Sequence, residues 1–301
     1  MVYEAQALAS GEHFAVKVLD REWARDAEVV ARFAREGRAA SAAASPHIVE
    51  VIDGGTEDGC PYLVMELLLG EDLGKRLRRE RTLAVDDALH VVLQVLVGLS
   101  AAHGQGVVHR DLKPDNVLLT ERDGDPSFAK LVDFGMSKIV PRAGGTAPVV
   151  LTRRGLVLGT PLYMSPEQAR AASNLDARSD LYSAGAMLFE CLAGRPPHVG
   201  PTYEQILIAI CTEDAPDVRR FRPEVSTELA ALVAKALGRE PDSRFQSAEA
   251  MLEALSAVAG APQTDPRVLA RQARVRLLVA MGIAAVAGAI VTLLAAAIVR
   301  G

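Results

Sequence analysis

Two strings hold the side chains best suited to chemistry. "VVHRDLKPDNVLL", Val107 to Leu119, sets a histidine, a basic–acidic pair, a lysine and an asparagine within eight residues, between two apolar runs. "LVDFG" follows, and its Asp133 lies 17 positions after Asn116. An aspartate and an asparagine presented by adjacent loops make a pair of oxygen ligands suited to Mg²⁺, a hard cation. Asp111 then remains as a carboxylate free to orient a hydroxyl and accept its proton.

A third feature lies far upstream. In "FAVKVL" the side chains of a strand alternate, so Phe14, Val16 and Val18 share one face while Ala15, Lys17 and Leu19 share the other. An ammonium among apolar neighbours is costly unless an anion meets it. A helix expected over 27–44 supplies one, because Val29, Phe33, Glu36 and Ala40 are spaced 4, 3 and 4 residues apart and form one stripe. Glu36 thus sits on the apolar face of its helix, as Lys17 sits on the inner face of its strand. Two misplaced opposite charges are most simply explained by each other.

The elements that must position these groups change character along the chain. Strand-like stretches dominate residues 1–70: "FAVKVL", "IVEVID" and "YLVMEL", with "DGGTEDGCP" as the turn between the last two. After residue 80 the pattern is mainly helical, "DDALHVVLQVLVGLSAAH" being the clearest case, and "LLLGEDLG" reads as the connector. "DPSFAKLVDFG" reads as a strand and a turn, and "PRAGGTAPVVLTRRG", which has no sustained period, as a mobile loop. The expected fold class is α+β, a small β-rich lobe followed by a larger helical lobe.

Composition bounds the function. The 301 residues are half hydrophobic, which excludes disorder throughout. A net charge of −5 and a pI near 5.8 argue against a nucleic-acid binder. Cys60, Cys191 and Cys211 are odd in number and widely spaced, which suits reduced thiols in a cytosolic domain. His47 and His103 read as structural, a loop and a helix-end histidine with no metal role. No signal peptide is expected at the front, where Glu4 and Glu12 interrupt any apolar run.

The far end is different. Residues 277–299, "LLVAMGIAAVAGAIVTLLAAAIV", run 23 positions without a charge. As a helix this is about 35 Å long, enough for a bilayer core of about 30 Å. Arg267, Arg271, Arg274 and Arg276 precede it and only Arg300 follows, so the positive-inside rule puts the preceding domain in the cytoplasm of a single-pass protein at the cell membrane. "AGAPQTDPR" reads as the linker. Ala280, Ala284 and Gly288, at four-residue spacing, suit helix pairing into a homodimer.

Taken together these strings resemble the eukaryotic-like serine/threonine protein kinases, in particular the bacterial membrane-anchored ones, and the resemblance covers roughly Val2 to Leu255. It implies a bilobal kinase fold over residues 1–256, a juxtamembrane linker over 257–276 and the transmembrane helix over 277–299. It implies ATP and Mg²⁺ as cofactors, and proteins with Ser or Thr hydroxyls as substrates in membrane-linked signalling. Lys17 matches the strand lysine that holds the α- and β-phosphates, and Glu36 the helix glutamate that pairs with it. Asp111 matches the catalytic base and Lys113 the lysine near the transferred phosphoryl. Asn116 and Asp133 match the Mg²⁺ ligands. The adenine would lie between Val2 and Ala15 above and Leu118 below, with Met65 at the gatekeeper position and the backbone of Glu66 and Leu68 on the hinge.

The same resemblance assigns supporting roles. "GTPLYMSPEQ" matches the substrate-docking segment, with Ser165 where the family usually has alanine. Asp180 and Arg244 match two structural residues of the large lobe, and Glu167 is expected to pair with Arg244. Lys113 and Thr160 fit the serine/threonine pattern. Arg110 is expected to meet a phosphate on the activation loop, where Thr152 and, second, Thr146 are the candidate phosphosites. In this family "VYEA" follows a glycine-rich loop that covers the phosphates, whereas here Met1 stands directly before Val2, so that loop and the strand before it are expected to be missing. Three readings fit: a start site further upstream, a truncated and weakly active or inactive kinase, or a shortened kinase acting as a scaffold or binding module.

Overall fold

The computed structural model describes residues 1–42, 45–134 and 161–259. The candidate phosphosites Thr146 and Thr152, the 277–299 run and most of its linker lie outside the described residues.

The first lobe is an antiparallel sheet packed under one helix. Its strands are β1 (Val2–Gln6), β2 (His13–Val18), β3 (Val51–Glu57) and β4 (Cys60–Glu66), in the order β1-β2-β4-β3. Directly opposed residues share a face, and the register opposes Val2 to Lys17, Lys17 to Leu63 and Ala15 to Met65. One face therefore carries the lysine and three of the residues expected around the adenine. Helix α1 (Ala27–Ala42) covers this face through a small core of Leu19, Val29, Phe33 and Leu63. Gly37 sets the approach, since a Cβ there would stand 2.6 Å from Leu63 Cδ2.

Two boundaries differ from the sequence reading. "DGGTEDGCP" is mostly strand: β3 runs to Glu57, and Asp58 and Gly59, with φ of 50° and 76°, alone make the turn before β4. A two-residue turn with both centres at positive φ matches the twist of a hairpin. "IVEVID" divides in two. Its first residues join the other lobe, with Ile48 bridging Leu131 and the Val49 N–H donating to Leu131 O at 2.9 Å, and β3 begins only at Val51. The first segment, Ile48 and Val49, is buried against the other lobe, whereas β3 is largely exposed, a division that one strand-like run does not reveal.

The connector is also partly regular. Gly70–Asp72 form β5, which pairs with β6 (Val117–Arg122), itself paired with β7 (Asp125–Leu131). Helix α2 (Leu73–Glu80) follows at once, capped by Asp72, whose carboxylate accepts the Lys75 N–H at 2.7 Å. The second lobe is built on α3 (Val85–Gly104), with α4 (Pro166–Ala169), α5 (Arg178–Ala193), α6 (Tyr203–Thr212), α7 (Thr227–Ala236) and α8 (Ala248–Val258). Helix α3 is apolar almost all round because other elements bury most of it. Leu96, Leu99, Leu112, Leu131, Leu181 and Phe189 are among the fully buried members of one continuous core.

Candidate active site

The catalytic-loop string is held from below by one carboxylate. Asp180, in the first turn of α5, is 1% exposed and accepts the backbone N–H groups of His109 at 2.7 Å and Arg110 at 2.8 Å. His103 Nε2 meets the same carboxylate at 2.8 Å, which gives that histidine its structural role. Arg110 stands at φ 64°, a conformation that costs a non-glycine residue energy and persists only where partners fix it. A second clamp supplies that fixing. The capping box of Ser165 and Gln168 starts α4, and Gln168 Nε2 donates to Arg110 O at 2.7 Å.

His109 ties this loop to the next. Its Nδ1 accepts the Asp111 N–H at 3.3 Å, so the ring proton is on Nε2, which donates to Val132 O at 3.1 Å. The fully buried Phe134 lies against the imidazole with centroids 4.6 Å apart. The Val132 N–H donates in turn to Asn116 O at 3.0 Å. The residue before Asp133 is thus bonded to Asn116, and the two oxygen-bearing side chains expected to act together are carried by adjacent, cross-linked segments.

Asp111 sits inside this frame. Its Oδ2 receives Lys113 Nζ at 2.9 Å and Asn116 Nδ2 at 3.2 Å, and Asn116 Nδ2 also donates to Asp111 O at 2.7 Å. These bonds use the amide nitrogen of Asn116 and turn its oxygen away as a spare ligand. Asp133 stands at φ 61°, and its Oδ1 accepts Lys17 Nζ at 2.7 Å, across 116 residues and from lobe to lobe. Asp133 Oδ2 and Asn116 Oδ1 accept no hydrogen bond from the described residues. Two unclaimed oxygens on linked loops fit a hard divalent cation.

The remaining expected residues divide clearly. Lys17 is buried on the inner face of β2, as its position required. Glu36 lies on α1 one residue before Gly37, the point of closest approach to the sheet, and its side chain lies outside the described residues. Ala15, Met65 and Leu118 are half-buried, while Val2, on the edge strand, is 59% exposed. Glu66 and Leu68 fall at and just beyond the end of β4. The Glu66 carboxylate is bound to Lys130 Nζ and accepts the Glu50 N–H at 2.8 Å. Lys130, buried on β7, was not singled out by the sequence.

The expected Glu167–Arg244 pair is present. Arg244 is 2% exposed and grips Glu167 with two parallel bonds of 2.8 and 2.7 Å, while Ser179 Oγ adds a third at 2.7 Å. Burial alone would raise the Glu167 pKa; the hydrogen bonds from Arg244 and Ser179 outweigh it and hold the carboxyl below its ordinary value.

A β-rich lobe joined to a helical lobe, with a cation from the first meeting an aspartate from the second, defines a bilobal protein-kinase fold. Residues 1–255 match the protein kinase domain family. The chain is 41% identical over 261 residues to the serine/threonine-protein kinase pkn3 of Myxococcus xanthus, covering 85% of this chain and 47% of that protein. It is 35% identical over 284 residues to the serine/threonine-protein kinase PknB of Mycolicibacterium smegmatis, covering 93% and 44%. The crystal structure of the Mycobacterium tuberculosis PknI kinase domain matches with a TM-score of 0.65 at 29% identity, over 85% of this chain and 90% of that one. The chain therefore belongs to the protein kinase family. It spans less than half the length of the curated relatives it matches.

Proposed function

We propose that this protein transfers the γ-phosphoryl group of ATP to serine or threonine hydroxyls of proteins, from a position tethered to the cell membrane. The Lys17–Asp133 contact carries the reading, because a buried lysine of one lobe meets a carboxylate of the other, as a phosphate-binding cation beside a metal-binding carboxylate would. Asn116 Oδ1 and Asp133 Oδ2 would hold Mg²⁺, which when bound neutralises charge on the phosphates. Lys17 would bind the α- and β-phosphates. Asp111 would orient the accepting hydroxyl and take its proton, with Lys113 beside it. Phosphoryl transfer asks little covalent chemistry of the protein, so this placement of charge is most of what it contributes. The tether rests on the charge-free 277–299 run and the arginines before it.

The test is transfer of labelled phosphate from ATP to a threonine peptide by the full chain and by its Asp111→Asn variant. The variant is expected to lose at least about a hundredfold in rate while still binding ATP. Equal rates would remove Asp111 from the role, and no transfer by either protein would favour a silent kinase-like scaffold.

A further inference from the structure

One amide side chain joins the segment expected to dock substrates to the loop that carries Asp111. Gln168 is the third residue of α4, and its Oε1 accepts the Ser165 N–H at 3.0 Å and the Ser165 hydroxyl at 3.2 Å. The Gln168 N–H returns to Ser165 Oγ at 3.4 Å, which completes the capping box. With its oxygen held by the cap, the amide turns its nitrogen the other way, and Nε2 donates to Arg110 O at 2.7 Å across 58 residues. The partners fix which end is which, a donor facing a carbonyl and an acceptor facing an N–H.

Both ends of this bridge are anchored. On the docking side Ser165 is fully buried, Glu167 is gripped by Arg244, and Ser183 Oγ on α5 donates to Tyr163 O at 2.7 Å. On the other side, Arg110 O belongs to the peptide unit that also carries the Asp111 N–H, which donates to His109 Nδ1 at 3.3 Å. That unit is planar, so holding its carbonyl sets the direction in which the chain enters Asp111. Arg110, at φ 64°, is thus held at its N–H by Asp180 and at its carbonyl by Gln168. Glutamate and glutamine serve alike at the third position of a capping box, since either offers an oxygen to the cap. Only the amide also donates, and a carboxylate there would set an oxygen against Arg110 O. The residue type at 168 is therefore set by the catalytic loop and not by the helix cap.

We propose that Gln168 is a positioning residue for Asp111, tying the placement of the docking segment to that of the base through the Arg110 carbonyl, and that the position requires an amide donor. The inference rests on the protein-kinase reading and names a further residue for its reaction. The accepting hydroxyl would lie against one segment while the base stands on the other, so a slip between the two misplaces the reacting groups. Small displacements of that kind are costly in rate. Lys17 and Asp133 stand on other segments, so nucleotide binding should not feel the loss.

The test uses the full chain and its Gln168→Glu and Gln168→Met variants. Turnover is followed on a threonine peptide, the urea midpoint records stability, and amide exchange over residues 109–113 is read without nucleotide or peptide. Gln168→Glu keeps the oxygen of the cap and loses the donor, whereas Gln168→Met loses both. Gln168→Glu should therefore hold a midpoint nearer the wild type than Gln168→Met does. Both variants should nonetheless lower kcat about tenfold, leave the KM for ATP within about twofold, and quicken exchange over 109–113. A role confined to the cap would make kcat follow the midpoint. Wild-type kcat or wild-type exchange in Gln168→Glu would overturn the proposal, as would a fall in kcat in Gln168→Met alone. Absence of transfer in the wild type would sink the kinase reading, and exchange, which needs no substrate, would then decide alone: quickened exchange upholds the grip of Gln168 on the loop, and unchanged exchange overturns it.

Discussion

The carboxylate of Asp180 accepts the backbone N–H of Arg110 at 2.8 Å from 70 residues away, and so one buried side chain fixes the strained residue that precedes Asp111. With Asn in place of Asp180, an amide nitrogen would face a donor that now finds an oxygen. Asp180→Asn should destabilise the domain by about 1–3 kcal/mol, read as a lower urea midpoint. It should also slow any transfer more than it weakens nucleotide binding, because the loop rather than the phosphate site is released. An unchanged midpoint would show that Arg110 holds its conformation without this partner.

Glu167 and Arg244 give a pH dependence of known sign. The Glu167 carboxyl titrates below its ordinary 4.5 in the folded protein, so acidification favours the unfolded chain, which binds the proton first. Its contribution is fully present above that ordinary value and is lost as pH falls through the folded one. The stability difference between wild type and Glu167→Gln should therefore shrink as the pH falls below the ordinary 4.5. Arg244→Ala, which strands a buried carboxylate, should cost about 3–5 kcal/mol.

Gly185 sets the spacing of α5 and α7. A Cβ there would stand 2.6 Å from Ala236 Cβ, an atom fixed to its own helix with no rotamer to escape by. Alanine improves helix propensity by about 1 kcal/mol, but forcing a methyl into a closed contact costs about 1–3 kcal/mol. Packing should win, so Gly185→Ala lowers the thermal midpoint. Gly104, at the end of α3, has nothing within 4 Å of the same construction, and Gly104→Ala should leave the midpoint level or raise it.

Much of the site was legible because its residues break local rules. A lysine on the inner face of β2 has no cheap explanation in packing alone and was found from that conflict, whereas the Asp–Asn pair was found from its residue types and spacing. The adenine face was read from the family resemblance, and the register of β1, β2 and β4 sets Val2, Ala15 and Met65 on one face with Lys17. The failures share a cause. "IVEVID" reads as one strand, yet Ile48 serves the large lobe and Val51 the small sheet, a division set by partners far away in sequence. Gly54 and Gly55 suggest a turn, whereas they accommodate Leu63 and Tyr62 across a hairpin whose true turn is the next Asp-Gly pair. Lys130 and Arg78 look like ordinary surface cations until the fold brings Glu66 and Asp115 to them.

Lys130 is the clearest of these for function. It lies on β7, three residues before Asp133, and is 6% exposed, while its partner Glu66 ends β4 where the chain crosses between the lobes. The pair therefore links β7, the strand that leads to Asp133, to the segment expected to meet the adenine. Removing the ammonium leaves a half-buried carboxylate that keeps the Glu50 N–H as its remaining bond. Lys130→Met preserves the packed stem and should destabilise by about 1–3 kcal/mol through the lost charge-assisted bond. Hinge geometry governs nucleotide placement, whereas Asp111 and its partners sit in the other sheet-and-loop frame. The variant should accordingly raise the KM for ATP severalfold with a much smaller change in kcat, and amide exchange should quicken around residues 66–69. A fall in kcat at constant KM would place Lys130 with the catalytic loop instead of the hinge.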